Sequence, residues 1–173
     1  MKTNLTIVRN TVFIVLTGIL MISCEKDDDE GRENDLIGTW TYGTSTFNTM
    51  VGDKALLQYL TDDMAMTPAD AQLYASLFTF TLQQSYTGTL TFNSNNTYTA
   101  NLGGQADSGT WSLSANGNEL TIDSSTDDPM VLTIDRLTAN ELKVHWTETG
   151  SEDLNDDTIP ETIRVDVNLT FTK

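Results

Sequence analysis

The chain has 173 residues, of which 25 are acidic and nine are lysine or arginine, for a formal net charge of −16 at pH 7. A protein this acidic is repelled by phosphate backbones and anionic lipid surfaces, so it is not expected to bind nucleic acid. One cysteine and one histidine allow neither a disulfide framework nor a histidine-rich zinc site.

Residues 1–23 have the layout of a secretory signal peptide. Lys2 and Arg9 precede an uncharged, largely apolar run over residues 11–22. This run is too short to cross a bilayer, whose hydrocarbon core needs about 20 helical residues. We predict that residues 1–23 are removed, which leaves seven basic and 25 acidic residues and a net charge of −18.

The motif Met21-Ile22-Ser23-Cys24 ends the apolar run and resembles the lipobox of bacterial lipoproteins. In that family a signal peptidase cuts before a cysteine that carries a thioether-linked diacylglyceride. Ser23 fits the small position before the cut, whereas Met21 replaces the usual leucine. The resemblance implies that Cys24 begins the mature protein and binds the membrane through acyl chains such as palmitate. The alternative is a free cysteine after an ordinary signal peptide.

The tract after the cysteine contains Lys26, Asp27, Asp28 and Asp29. It resembles the lysine-then-acidic signal that sends lipoproteins of some Gram-negative bacteria to the outer face of the outer membrane. The resemblance implies a lipid-anchored outer-membrane protein whose domain is exposed at the cell surface. Residues 24–35 contain almost no apolar side chain, so we predict that they form a flexible acidic tether.

The rest of the chain, residues 36–173, is predicted to form one mainly β domain. After Gly88, apolar residues alternate with threonine, serine and asparagine between turn residues, which is typical of an antiparallel meander. This part contains seven predicted strands, and an eighth lies upstream over residues 38–47. Eight such strands close most simply into an up-and-down barrel without exposed edges. Side chains assigned to the inner face include Trp40, Phe92, Tyr98, Trp111, Leu132, Val144, Trp146 and Val167.

Residues 53–86 interrupt this pattern between the first and second predicted strands. Apolar residues recur at helical spacing in both halves of this segment. Thr67 is predicted to cap the second helix, with Pro68 at its first position and Asp70 three residues after the cap. We therefore predict a two-helix insertion, although the β-branched and aromatic stretch 78–82 also allows the second helix to end early and continue as a strand.

Short motifs in the predicted strands resemble the lipocalins. Gly38-Thr39-Trp40 opens the first strand and resembles their Gly-x-Trp signature. Further motifs resemble the lipocalin-like domains of bacterial lipoproteins, and they lie at residues 88–92, 97–98, 109–111, 118–122 and 169–173. The resemblance implies an eight-stranded lipocalin-like barrel with the helical insertion near its mouth. A barrel of eight strands has room for packed side chains or one small ligand.

Two functions fit this fold. The first is non-catalytic binding of a small apolar or amphipathic molecule in the barrel, with the helices gating a pocket of roughly 300 Å³ or more. The second is a structural or accessory surface module with a packed barrel, which acts through protein or glycan contacts. The candidate ligand-binding residues for the first function are Trp40, Leu57, Phe78, Trp111 and Trp146.

One acidic segment has the spacing of a calcium loop of the Asp-x-Asn-x-Asp type. Thr158 occupies the position where glycine usually makes the sharp turn, and Arg164 occupies that of the final glutamate. The segment therefore allows either a calcium site or an acidic, solvated hairpin loop. The candidate calcium ligands are Asp153, Asn155, Asp157, the Ile159 carbonyl and Glu161.

The sequence predicts no catalytic residue. His145 alternates with Val144 and Trp146, which face inward, so it is expected on the solvent face of its strand. This single, outward-facing histidine argues against a Ser-His-Asp arrangement, and the assignment of Cys24 to lipid excludes a cysteine nucleophile. We therefore expect a protein that is not an enzyme.

Overall fold

The computed structural model describes residues 29–155 and 157–173. Cys24, Lys26, Asp27 and Asp28, which carry the predicted anchor and most of the export signal, lie outside these residues. In the described part of the chain, no helix is both long enough and apolar enough to cross a bilayer.

The described residues form a mainly β structure, and each predicted strand is present. Strand β2 is an addition of two residues that pairs with the end of β1. In chain order the elements are α1 (Asp29–Leu36), β1 (Gly38–Val51), β2 (Lys54–Ala55), α2 (Leu56–Asp62), α3 (Pro68–Tyr86), β3 (Gly88–Phe92), β4 (Thr97–Leu102), β5 (Gln105–Leu113), β6 (Glu119–Ser124), β7 (Met130–Leu137), β8 (Glu141–Glu152) and β9 (Glu161–Thr172).

Strands β1 and β3 to β9 pair antiparallel in chain order, and β1 also pairs with β9. Residues 38–41 of β1 lie against β3, whereas residues 41–51 lie against β9. A register shift between Tyr42 and Thr44 accompanies this change of partner, as bulges bend strands where a sheet closes. The predicted eight-stranded up-and-down barrel is confirmed.

The core lies inside the barrel, where alternate residues of every strand meet. The side chains predicted on the inner face are buried, except for the half-buried Trp146. Phe92 and Trp111 pack edge to face, with ring centroids 5.7 Å apart. The period-2 pattern therefore identified the core correctly, because each strand buries one face only.

The acidic segment before β1 is not an extended tether in its described part. Residues 29–36 form α1, and Leu36 at its end is fully buried. The Leu36 carbonyl accepts a hydrogen bond from Nε1 of Trp40 at 2.7 Å. Composition alone predicts disorder, because the polar residues of this segment bury little surface by themselves. The contacts of Leu36 with the barrel supply the missing burial.

The end of β9 fastens α1 to the barrel. Nζ of Lys173 donates to the carbonyls of Asp35, at 2.5 Å, and Ile37, at 2.8 Å. The same ammonium lies 4.4 Å from the ring centroid of Trp40, a favourable position over an aromatic face. Helix α1 and its contacts therefore close one end of the barrel.

Both predicted helices of the insertion are present. Thr67 caps α3 by accepting a hydrogen bond from the Asp70 amide at 3.2 Å, and its hydroxyl donates to the Asp70 carboxylate at 2.7 Å. The helix continues through residues 78–82, where the hydroxyls of Thr79 and Thr81 bond to carbonyls one turn earlier. The alternative of an early strand is therefore wrong.

The insertion packs against the side of the barrel where the wall is highest. Strands β1, β8 and β9 have 12 to 14 residues, whereas β3 to β7 have five to nine. Leu60 and Phe78 meet Val51 and Ile163 of this higher wall around a cleft of about 40 Å³. Toward the end of α3, Leu82 is buried in the main core, so the helix comes down onto the open end of the barrel.

Candidate ligand-binding site

A partly open cavity of about 110 Å³ lies inside the barrel, at the end opposite α1. A water occupies about 30 Å³ in the liquid, so the cavity has room for about four water-sized groups. It is smaller than the roughly 300 Å³ at which most ligand pockets begin. Its lining is almost entirely apolar and consists of Tyr86, Leu90, Tyr98, Ala100, Leu102, Asp107, Leu120, Ile122, Met130, Leu132, Leu142, Val144, Trp146, Leu169 and Phe171.

Of the five residues predicted to bind the ligand, Trp146 lines this cavity. Trp40 and Trp111 are buried beyond it, toward the α1 end. Leu57 is exposed on α2, and Phe78 lines the separate cleft between α3 and the high wall. The cavity thus lies within the barrel rather than between the barrel and the helices, because α3 packs its apolar side chains on the wall instead of holding the mouth open.

Three aromatic rings from distant segments meet at the mouth. Tyr86, the last residue of α3, stacks on Phe47 of β1 with ring centroids 5.9 Å apart. It also packs edge to face on Trp146 of β8, at 5.5 Å. Aromatic pairs of this kind add roughly 0.5–1.5 kcal/mol beyond the area they bury. The Tyr86 ring therefore pins the end of α3 over the cavity.

Two carboxylates accompany these rings. Oε1 of Glu148 accepts hydrogen bonds from Nε1 of Trp146, at 3.0 Å, and from the Tyr86 hydroxyl, at 3.3 Å. Asp107 lines the cavity, and its Oδ2 accepts the hydroxyl of Tyr98 at 2.5 Å. Neither carboxylate was predicted as a site residue, although the alternation along β5 and β8 places both on the inner face of the barrel. The signal is an acidic residue an even number of positions from an inward-facing tryptophan, because such residues share one face of a strand: Glu148 lies two positions after Trp146, and Asp107 lies four positions before Trp111.

These contacts hold the tyrosines in their protonated form. Burial raises the pKa of Tyr86 and of Tyr98 above its ordinary value of 10.0, and the carboxylates of Glu148 and Asp107 raise it further. Burial and the Glu161 carboxylate raise the pKa of Tyr59 in the same way. A carboxylate that accepts a phenol proton opposes phenolate formation because two negative charges would then adjoin.

We expect alkaline pH to destabilise the protein through these three tyrosines. Their pKa values are higher in the folded state, so their stabilising contribution is complete below about pH 10 and is lost as the pH rises further. In an absorbance titration near 295 nm, their phenolate signals should appear only with unfolding monitored by circular dichroism. Phenolate absorbance from all five tyrosines before unfolding would contradict this prediction.

The predicted calcium loop turns its side chains onto its own backbone. The Asp153 carboxylate accepts the amides of Asp157, at 3.1 Å, and Thr158, at 2.8 Å. The Asn155 side-chain oxygen also accepts the Asp157 amide, at 3.0 Å. The Asp157 carboxylate accepts the amide of Ile159 at 2.8 Å. Such Asx-type bonds stabilise a tight acidic loop without help from a cation.

Glu161, the last candidate calcium ligand, faces a different set of groups. Its Oε1 accepts the Tyr59 hydroxyl at 2.7 Å, and its Oε2 accepts the Leu154 amide at 2.8 Å. Glu161 and Asn155 line an open cleft that also contains Lys54. In the ranges the structure describes, no three acidic, histidine or cysteine side chains are grouped as a metal site. The candidate side chains therefore bond to backbone amides of the loop and to Tyr59, and calcium binding stays a prediction.

The outer face of α3 carries an exposed apolar strip. Leu73, Leu77 and Phe80 follow one another at helical spacing and are 60%, 57% and 57% exposed. No charged residue occurs over residues 71–87. Contiguous exposed apolar surface is typical of an interaction site.

The only histidine lies on the outer face of β8. Nδ1 of His145 is 2.9 Å from the Asp135 carboxylate, and both side chains are more than two-fifths exposed. It stands on the face opposite the inward-facing Val144, as the alternation predicted.

Comparison with known proteins places the barrel in a described family. A family model for the "Lipocalin-like domain (DUF4923)" matches residues 21–149. A solved structure of a DUF4847 family protein from Bacteroides vulgatus is similar at 12% identity, with a TM-score of 0.38, over 82% of this chain and 95% of that one. No curated protein matches the chain.

Proposed function

The chain belongs to the lipocalin-like domain family DUF4923, and we propose that it binds one small apolar or amphipathic molecule without catalysis. The observation that carries this proposal is the apolar, partly open cavity inside the barrel. A packed scaffold would interdigitate its side chains and leave no void larger than a water. With about 110 Å³, the barrel would enclose a short apolar tail and leave the rest of the ligand at the mouth.

The test of this proposal compares two alanine substitutions on neighbouring strands. Ala100 lines the cavity, whereas Ala106 is exposed on the outer face of the barrel. We expect hexan-1-ol to bind the wild-type protein in isothermal titration calorimetry. Ala100→Leu should weaken this binding at least about tenfold, because the added carbons occupy the cavity. Ala106→Leu should leave it unchanged.

Two results would contradict the proposal. Hexan-1-ol could fail to bind the wild-type protein at millimolar concentration, or Ala100→Leu could bind it as well as Ala106→Leu does. In either case the barrel acts as a scaffold.

We also propose that the protein is an outer-membrane lipoprotein, anchored through acyl chains on Cys24 and exposed at the cell surface. The support is the sequence of residues 1–29, together with the position of α1. The anchor precedes α1, and α1 closes the end of the barrel opposite the cavity. A lipid-anchored domain would therefore present its mouth away from the membrane.

Replacing Cys24 with alanine is expected to abolish membrane attachment, because a single signal peptide run of this length does not span a bilayer. Fractionation of the native host and metabolic labelling with palmitate would measure it. Ser23→Ala is the matched control, since it keeps the cysteine and a small residue before it. A Cys24→Ala protein that stays in the membrane and is processed as before would refute the anchor.

The exposed strip of Leu73, Leu77 and Phe80 favours a second candidate function. A structural or accessory module could dock on another protein through this face of α3, whatever the barrel contains. Leu77→Ser changes the strip without touching the cavity lining. If function in the host depends on Leu77 and not on Ala100, the module is favoured over the binder.

A further inference from the structure

We infer that the cavity selects ligands whose polar head is cationic, such as a protonated amine, and discriminates against fatty-acid-like carboxylates. This inference rests on the proposed ligand-binding function and specifies its ligand class. It follows because the charged side chains at the cavity are carboxylates and no lysine or arginine lines it.

The charged groups at the cavity are acidic. Asp107 is part of the lining, and Glu148 is bonded to Tyr86 and Trp146, which are also part of it. The two carboxylates come from β5 and β8, which are not neighbours in the sheet. They therefore approach the mouth from different sides, while the deeper lining is apolar.

Glu148 keeps acceptor capacity for a ligand, whereas Asp107 is already bonded through both of its carboxylate oxygens. A carboxylate can accept about four hydrogen bonds. On Glu148 both donors, the Trp146 indole and the Tyr86 hydroxyl, use Oε1, so Oε2 takes part in neither bond. On Asp107, Oδ2 accepts the Tyr98 hydroxyl, and Oδ1 accepts both the Ser124 hydroxyl and the Ser108 amide. The donors fix both groups in place, so Oε2 of Glu148 is the acceptor offered to a ligand and Asp107 contributes its charge to the lining.

The basic residues of the described chain lie elsewhere. None of them lines the cavity. Lys54 pairs with Asp63 in the insertion, and Arg164 with Asp166 on the outside of β9. Arg136 and Lys143 pair with Glu141 at the start of β8. Arg32 and Lys173 lie at the α1 end of the barrel. These six residues are Arg32, Lys54, Arg136, Lys143, Arg164 and Lys173.

The cavity is too short to separate a ligand's head from the carboxylates. With room for about four water-sized groups, it takes a short alkyl tail, and the head then lies near the mouth. A neutral or anionic head would cover the carboxylates without compensating their lost hydration. An ammonium head replaces that hydration with charge-assisted hydrogen bonds. The acidity of the whole chain acts in the same direction.

The experiment uses three ligands with the same alkyl chain, namely n-hexylamine, hexan-1-ol and hexanoate, titrated calorimetrically into the purified protein at pH 7. We expect hexylamine to bind at least about tenfold more tightly than hexanoate, with hexan-1-ol between them. The Ala100→Leu protein separates cavity binding from adsorption on the acidic surface. The double variant Asp107→Asn, Glu148→Gln keeps acceptors for both tyrosines and should reduce the preference to less than about threefold.

The outcomes separate this inference from the proposed function. If hexan-1-ol binds the cavity and hexanoate binds as well as or better than hexylamine, the head-group inference is overturned and the ligand-binding function stands. Hexylamine binding that survives Ala100→Leu is adsorption to the surface and also overturns the inference. If none of the three ligands binds, the proposed function itself fails. The wild-type comparison gives this answer even if the double variant does not fold.

Discussion

Replacing Trp40 with alanine is expected to lower the free energy of unfolding by about 3–5 kcal/mol, as for other large aromatic residues removed from a core. Trp40 is fully buried beside the α1 end of the barrel. Its removal leaves a cavity, takes the indole donor from the Leu36 carbonyl and removes the ring beneath the Lys173 ammonium. Urea unfolding followed by circular dichroism measures this loss as a lower midpoint with an unchanged slope.

Two phenylalanine substitutions separate the hydrogen bond from the packing. Trp40→Phe keeps most of the ring and removes the donor, so the buried Leu36 carbonyl loses its partner at a cost of about 1–3 kcal/mol. Trp146→Phe is the matched control at the half-exposed mouth, where Glu148 also accepts the Tyr86 hydroxyl. We expect this control to lose about 1 kcal/mol or less. Equal losses at positions 40 and 146 would mean that the closed end contributes no more than the open one.

The barrel could be predicted from the sequence because its information is local. Each strand alternates between a buried and an exposed face, and turns such as Gly103-Gly104 separate the strands. Thr67 and Pro68 likewise fix the start of α3 by contacts within one helical turn. Each of these signals is contained in a short stretch of sequence.

Helix α1 could not be predicted in this way. Apart from the buried Leu36 it has no large apolar residue, and it is held by contacts with Trp40 and with Lys173, which lies 138 residues after Asp35. The composition of a short stretch of sequence gives no information about a contact partner so far along the chain. Composition therefore predicts a tether over residues 29–35, which are helical in the structure.

The candidate site likewise has features that local sequence predicts and features that depend on distant contacts. Parity alone places Asp107 and Glu148 on the inner face of the barrel, so their orientation could have been read from the sequence. That Tyr86 meets Glu148 across 62 residues depends on where α3 ends above the barrel. The volume of the cavity depends on how all its lining side chains pack together, and no pattern of residue types specifies a void.

Gly109→Ala is expected to destabilise the protein by about 2–3 kcal/mol, because overpacking of a tight site forces its neighbours to shift. A Cβ added to Gly109 would lie 2.0 Å from the Asp123 carbonyl oxygen and 3.0 Å from the Ser124 Cα. Both neighbours are backbone atoms of the adjacent strand β6, so no side chain can rotate away. The strand pair must separate, and the free energy of unfolding measured in urea should fall accordingly.

Gly150→Ala is the matched control, since Gly150 also lies within a strand and a Cβ there meets nothing within 4 Å. We expect no loss at this position, or a gain of up to about 1 kcal/mol from the reduced freedom of the unfolded chain. The comparison also tests the geometry of the candidate site. Asp107 lies two residues before Gly109, and its Oδ1 accepts the Ser124 hydroxyl at 2.8 Å across the same strand pair. If the two variants prove equally stable, β5 and β6 do not approach so closely, and the placement of the Asp107 carboxylate at the cavity loses its structural basis.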